Sequence, residues 1–360
     1  MKENSLLEEE VQDYYGKELQ GSDDLKTNAC CTDVSYSSRI KKALTNIHDE
    51  VLTRYYGCGL TIPTQIQGLR ILDLGSGAGR DCYLLSQLVG ENGYVLGIDM
   101  TDEQLEVANR HVEWHQSKFS YQNSNVDFVK GNIQNLREAG IETEYFDIIV
   151  SNCVVNLAAN KQAVLEEAFR VLKEGGEFYF SDVYCDKRIS QHLTNDKELY
   201  GECLSGALYW NDFLNLAKTV GFTDPRIVDS RRLTIENDSV LEKIEGYKFY
   251  SVTHRLFKLP ALEPACEDYG QAVKYLGGVE EQPNNFKLDD HHLFELGKTL
   301  PVCGNTWLML ANTRYREYFE FYGDFERHFG IFAGCGTETP YSEKTGAATQ
   351  TLQPENTSCC

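Results

Sequence analysis

No run of 18 consecutive apolar residues occurs in the 360-residue chain, so no bilayer-spanning helix is expected. Basic residues are few: 34 Lys and Arg stand against 55 Asp and Glu, a formal charge of −21. A nucleic-acid binder needs a basic stripe to release counterions, and an anionic membrane surface attracts the same cations, so neither partner is expected. Residues 1–10 are acidic and lack an apolar segment. The expectation is therefore neither a secretory signal nor a transit peptide, and a cytoplasmic protein. No internal repeat is visible. None of the 12 cysteines pairs with another at C-x-x-C spacing, which leaves a zinc ribbon or a thioredoxin-like motif without support. In a reducing compartment these cysteines are expected as thiols. A hydrophobic content of 41% lies a little under the globular range and points to some exposed or disordered segments.

What is present has an order. Residues 6–20 have the apolar spacing of a short amphipathic helix, and residues 38–56 read as a second helix. Gly57 and Gly59, with Pro63 beyond, are its stop signals. Strands are expected at 70–74, 94–98, 126–130, 146–151 and 177–183. Helices are expected at 79–89, 102–117 and 161–173, the last stopped by Gly175-Gly176. Strands alternating with helices of this length imply βαβ units and a parallel sheet. Four parts result: an N-terminal helical segment 1–64 carrying Cys30 and Cys58, an α/β domain 65–235, a small appended domain 236–335, and a disordered tail 336–360.

The segment ILDLGSGAGRD, residues 71–81, carries the chemistry. An apolar strand delivers Asp73, then Gly75, Ser76, Gly77 and Gly79 turn the chain into a helix. Glycine lets a ligand pack on bare backbone. Asp99 ends the next strand, where an acid can accept hydrogen bonds from both hydroxyls of a ribose. The spacing is G-x-G-x-G, not the G-x-G-x-x-G of dinucleotide binders. A pyrophosphate would be repelled by Asp73, whereas an ammonium group suits it. The segment resembles the glycine loop of class I S-adenosylmethionine-dependent methyltransferases, over about residues 65–185. The resemblance implies a Rossmann-like doubly wound sheet with the loop against the methionyl part, Asp99 on the ribose, Met100 by the adenine, and Ile133 and Gln134 bordering it.

Three cysteines are placed where an acceptor would be needed. Cys58 precedes the sheet, Cys153 follows the fourth strand and Cys203 follows the fifth. Open α/β sheets bind ligands beyond the carboxyl ends of their strands. Their placement leaves two readings open: packed thiols acting as small hydrophobes, or a convergent set for a soft, thiophilic centre. His111 and His115, at i and i+4, read as a solvated helix face without a third metal ligand. Cys82 reads as a packing residue.

Longer stretches narrow the choice. TNAC, RYYGCGL, ILDLGSGAGRDCY, GIDMT, SNCVVNL, FSDVY and GECLSGALYW make the chain similar to the arsenite S-adenosylmethionine methyltransferases, from about residue 11 to 235 and more weakly through DDHH and PVCGNTW. The resemblance implies arsenic(III) held by Cys58, Cys153 and Cys203, with Cys30 in a relay of thiols. The Cys30–Cys31 doublet departs from the single family cysteine. It also implies Tyr56 on the cofactor cleft, Arg80-Asp81 bracing the loop, arsenite and methylated arsenicals as substrates and products, and thioredoxin or glutathione as reductant. A monomer is expected. Cys359-Cys360 read as a tail without function. Two rival readings remain: a methyltransferase for an organic acceptor, which would not need Cys58 or Cys203, and a thiol-rich arsenic scavenger, which would not need a nucleoside site.

Overall fold

The computed structural model describes residues 11–15, 37–57, 60–194, 196, 199–200, 203–235 and 237–335. Four parallel strands come first: β1 (Arg70–Leu74), β2 (Tyr94–Asp99), β3 (Val126–Lys130) and β4 (Phe146–Asn152). Two long strands follow, β5 (Leu172–Cys185) and, beyond the short β6 (Leu208–Tyr209) and β7 (Arg226–Arg232), β8 (Phe249–Phe257). The sheet order is β3-β2-β1-β4-β5-β8-β7, with β6 pairing the end of β5. Strands β1 to β5 pair parallel, while β8 runs antiparallel to both β5 and β7. Chain order reverses between β1 and β4, the switch point at which such sheets open a crevice.

Alternation along β1 divides the core. Ile71 packs on one face with Tyr83, Leu84, Leu85 and Val95 from the helix Arg80–Val89 and strand β2. Leu72 and Leu74 pack on the other with Phe146, Phe178, Phe180 and Phe213. Helices on both faces explain why Ile71 to Leu74 are all buried. A third apolar cluster, with Val11, Cys153, Leu157, Cys185, Leu199 and Cys203, lies beyond the carboxyl ends.

Several expectations shift. The helix expected over 38–56 is two, Ser38–Leu44 and Asp49–Thr53; His48 caps the second by accepting from Glu50 N at 3.2 Å. The helix expected over 102–117 is also two, Asp102–Arg110 and Val112–Phe119. The helix expected to reach Gly175 stops at Val171, and Leu172 is already extended. Gly175-Gly176 instead lie inside β5, where Gly175 has φ 77° and donates its N–H to Lys258 O at 2.9 Å. The division expected at residue 235 would cut off β8, which lies inside the main sheet, so that unit extends to Phe257.

The region after β8 forms small antiparallel sheets: β10 (Ala272–Tyr275) between β13 (Thr299–Pro301) and β14 (Phe319–Tyr322), β11 (Asn285–Lys287) with β12 (Leu293–Glu295), and β9 (Glu267–Asp268) with β15 (Gly330–Ile331). Its own core holds Tyr275, Phe286, Phe294, Met309, Leu310 and Tyr315. Buried Glu177 of β5 ties it down: the carboxylate pairs with Arg255 of β8 and with Arg314. Arg314 also donates to Thr64 O at 2.8 Å. Glu177 and Thr64 lie toward the amino ends of β5 and β1, so these ties fix the domain away from the carboxyl-end crevice.

Candidate active site

The crevice at the switch point encloses about 1020 Å³, including space open to solvent. The β1 loop forms its floor. Gly75 has φ 74°, and a Cβ there would fall 2.4 Å from Val154. Gly77 has φ 52° and nothing within 4 Å of where a Cβ would stand, so bare backbone faces the open space. Asp99 locks the loop from the next strand, accepting from Gly77 N and Thr101 N, each at 2.8 Å. Of the ten residues expected at a cofactor, Tyr56, Asp73, Gly75, Ser76, Gly77, Asp99, Met100, Ile133 and Gln134 line the crevice. Gly79 does not. It caps the helix Arg80–Val89 at φ 87°, and a Cβ there would strike Phe128 at 2.6 Å, so it serves the turn and its packing.

Three carboxylates converge. Asp73, Asp81 and Asp99 all line the crevice, and Asp73 is buried. Burial, with Asp81 and Asp99 adding repulsion, raises the Asp73 carboxyl to about 8. Burial also raises Asp99. Cys82, expected only to pack, donates its thiol to Asp73 Oδ2 at 3.2 Å. A cationic ligand is what this set lacks, and the buried Ser76 Oγ and Gln104 Oε1 have no hydrogen-bond partner among the described residues. The groups present thus fit a ligand with a cation at one end and hydroxyls at the other.

Several wall residues carried no sequence signal. Asn152 Nδ2 donates to Tyr55 Oη at 2.6 Å and to Asp81 Oδ2 at 3.2 Å. Arg80 pairs with Asp81 at 2.8 Å and lies over the Tyr55 ring, so the expected brace extends to Tyr55. From the N-terminal helix expected at 6–20, residues 11–15 are described. Val11 and Tyr15 cross the crevice, held by Gln12 Nε2 on Met100 O at 3.0 Å and Gln104 Nε2 on Tyr15 O at 2.9 Å.

The thiols lie at one end. Cys153 follows β4 and lines the crevice. Cys203 is fully buried behind it, not on the wall; its Sγ lies 3.4 Å from Cys153 O and 4.0 Å from Tyr15 Oη. Both cysteines hold left-handed backbone, φ 58° and 60°. That conformation is costly for a side chain with a Cβ and marks sites the surroundings over-determine. Cys153 is disulfide-bonded, whereas Cys82, Cys185, Cys203, Cys266, Cys303 and Cys335 form no disulfide. Cys30, Cys31, Cys58, Cys359 and Cys360 lie outside the described residues.

The expected solvated face at His111 and His115 is a correction. Both are buried. His115 stacks on Tyr83, with centroids 3.5 Å apart, and burial holds it down to about 4, so it is neutral. His48, Glu50 and His111 do cluster closely enough to share an ion. Their polar atoms already serve a helix cap and ion pairs to Arg110 and His111.

This fold, with a glycine loop, an acid ending β2 and a crevice that wants a cation, defines a class I S-adenosylmethionine-dependent methyltransferase. A model of the methyltransferase domain matches residues 66–221. The chain is 53% identical to an arsenite methyltransferase of Aquipseudomonas alcaligenes, over 98% of this chain and 100% of that protein. It is 46% identical to the arsenite methyltransferase of Homo sapiens, over 87% of this chain and 83% of that one. The crystal structure of an arsenic(III) S-adenosylmethionine methyltransferase from Chlamydomonas reinhardtii matches with a TM-score of 0.80 at 44% identity, covering 83% of this chain and all of that one. The chain belongs to the arsenite methyltransferase family.

Proposed function

We propose that the protein methylates trivalent arsenic held by its own cysteine thiols, with S-adenosylmethionine as donor, and yields mono- and dimethylated arsenicals, with a third methyl transfer open to the same site. The observation that carries this reading is the junction of Cys153 and Cys203, two cysteines 50 positions apart on strained backbone, at the end of a cation-seeking crevice. An organic acceptor would call for a general base there; a soft centre calls for thiols. A scavenger would have no use for Asp73, Gly77 and Asp99.

S-adenosylmethionine, when bound, supplies an electrophilic sulfonium methyl. The protein's part is placement. Asp73 receives the ammonium group as a carboxylate and gives up its proton on binding. Asp99 keeps lone pairs for the ribose hydroxyls while its backbone partners hold the loop. Ser76, Met100, Ile133 and Gln134 surround the nucleoside, and Tyr15 and Tyr56 exclude water. Cys58, Cys153 and Cys203 bond arsenic, each S–As bond replacing an As–OH bond and releasing water. The arsenic lone pair carries no proton, so no base is needed.

Methyl transfer raises arsenic from the trivalent to the pentavalent state. Two thiols that join in a disulfide return two electrons, and thioredoxin or glutathione then restores the thiols. The disulfide at Cys153, close to Cys203, supports this cycle, in which Cys30 or Cys31 is the relay thiol of the proposal. Such a cycle needs a reducing compartment, which favours the cytoplasm, and it needs one chain only. The test is to incubate the protein with arsenite, S-adenosylmethionine and glutathione or thioredoxin and to separate the arsenic species. Methylated arsenic is the expected product; cofactor binding with arsenite left unmethylated would overturn the assignment.

A further inference from the structure

Asp182 of β5 is buried and lies off the crevice wall, at the point where the two crevice cysteines are fixed. Strands β4 and β5 pair as far as Asn152 and Ser181. One further bond, from Cys153 N to Ser181 O at 2.9 Å, ends that ladder, and the left-handed turn at Cys153 carries the chain away from β5. The Asp182 side chain takes over from there. Its Oδ2 accepts from Asn156 N at 3.0 Å, and its Oδ1 accepts from Asn156 Nδ2 at 2.7 Å and Val183 N at 2.8 Å. Asn156 Nδ2 donates to Val183 O as well. The segment carrying Cys203 packs on the same turn. A Cβ on Gly206 would fall 2.4 Å from Asn156 O, and Tyr200 Oη donates to Leu157 O at 3.0 Å. Cys153 lies three residues before Asn156, and Cys203 three before Gly206.

We infer that Asp182 is a positioning residue for methyl transfer: through Asn156 its carboxylate fixes the Cys153 and Cys203 sulfurs relative to each other. The role rests on the proposed function and extends it to a residue that touches neither cofactor nor arsenic. The turn needs an acceptor on both sides. Val155, Asn156, Leu157 and Val183 are buried, so their N–H groups cannot turn to water. A carboxylate accepts with both oxygens, whereas an amide at 182 would present an N–H to one of these donors in either orientation. Burial raises Asp182 to about 6, offset in part by the bonds from Val183 and Asn156 and by the Lys161 cation, so the group is ionised at neutral pH. Lys161 also ties the far end of the turn, its Nζ donating to Ala158 O at 3.1 Å. Held at both ends, the turn keeps the costly left-handed backbone of Cys153, which relaxes once the turn is released. Cys203 Sγ lies 3.4 Å from Cys153 O, so a shift of the turn displaces both sulfurs against the methyl group they must meet.

The full chain is assayed with arsenite, S-adenosylmethionine and thioredoxin, and kcat is counted per molecule that binds S-adenosylhomocysteine, so that unfolded protein does not enter. Asp182→Asn should lower kcat about a hundredfold, the scale of a misplacement of about 1 Å, and leave KM for S-adenosylmethionine within about threefold. Asn156→Ala keeps the carboxylate and its backbone bond, and should lower kcat about tenfold. Added to Asp182→Asn it should cost nothing further, because the two side chains act as one unit. A merely structural role gives a different pattern: lower yield and melting temperature, with kcat per binding molecule unchanged. That pattern, or a loss of cofactor binding as large as the loss of activity, overturns the inference. A parent chain that binds S-adenosylhomocysteine and leaves arsenite unmethylated overturns the proposed function and Asp182's role with it. An active parent with equally active variants overturns the role of Asp182 alone.

Discussion

At the carboxyl ends of the strands, Cys153 and Cys203 sit in an apolar cluster with Leu157, Leu199 and Leu204, on left-handed backbone. At the amino end, Cys303 sits on ordinary backbone, φ −68°, against the buried cation Arg226 and a helix cap. The first pair is defined by where the chain is forced to turn, the second group by what charge and hydrogen bonds surround it. Sulfur placed by strain is aimed at one point, beside the glycine loop, as transfer to a fixed methyl requires.

The largest effect expected from breaking this comparison is at the first pair. Cys153→Ser and Cys203→Ser should each lower arsenite methylation by about a thousandfold, roughly 4 kcal/mol of transition-state stabilisation, because oxygen is a poor ligand for a soft centre. S-adenosylhomocysteine should still bind within about threefold of the parent, since neither thiol is needed for the nucleoside. Titration calorimetry with the arsenic assay reads both. Loss of cofactor binding alongside activity would mean that these residues hold the fold rather than the substrate.

Asp73→Asn comes next. The carboxylate is the group that must meet the ammonium, so cofactor affinity should fall about a hundredfold, roughly 2.7 kcal/mol. The free protein should nonetheless melt a few degrees higher. A buried acid raised from 3.8 to about 8 binds more protons folded than unfolded in that window, so its stability falls as pH rises through it, and asparagine removes that loss. A drop in both binding and melting temperature would contradict the account of Asp73 as a strained receptor.

The same group sets a smaller, graded effect. Binding a cation ionises Asp73, so affinity for S-adenosylhomocysteine should rise with pH by up to about tenfold per unit and level off near pH 8, where the free carboxyl is already ionised. Calorimetry in buffers of different ionisation heats should count up to one proton released at pH 7. A flat profile between pH 6.5 and 8 would show that Asp73 is ionised before the ligand arrives.

How much of this was legible differs along the chain. The β1 loop and Asp99 could be read because they are local: strand, glycines and helix follow within a dozen residues, and nine of the ten cofactor candidates line the crevice. Asn152, Tyr55 and Tyr15 could not, because they reach the site by tertiary packing with no pattern of their own. The helix expected to run to residue 56 ends at Thr53, four residues ahead of Gly57, and the break at His48 depends on a histidine cap that no periodicity shows. Past residue 257 the strands run two to four residues, too short for alternation to register, so the pairing that brings Cys266 to Cys335 was invisible. The role of Cys303 was hidden for the same reason, as its partner Arg226 lies 77 positions away.

Cys303→Ser in the otherwise unaltered chain gives the smallest expected effect. Serine keeps an oxygen to accept from Thr306 N, so the cap costs only a few tenths of a kcal/mol and the melting temperature should move by less than about 2 °C. The crevice is fixed by β1, β2 and β4, none of which touches this helix cap, so the rate of the first methyl transfer should stay within about twofold. A slower first transfer with a normal melting temperature would mean that the two ends of the sheet communicate.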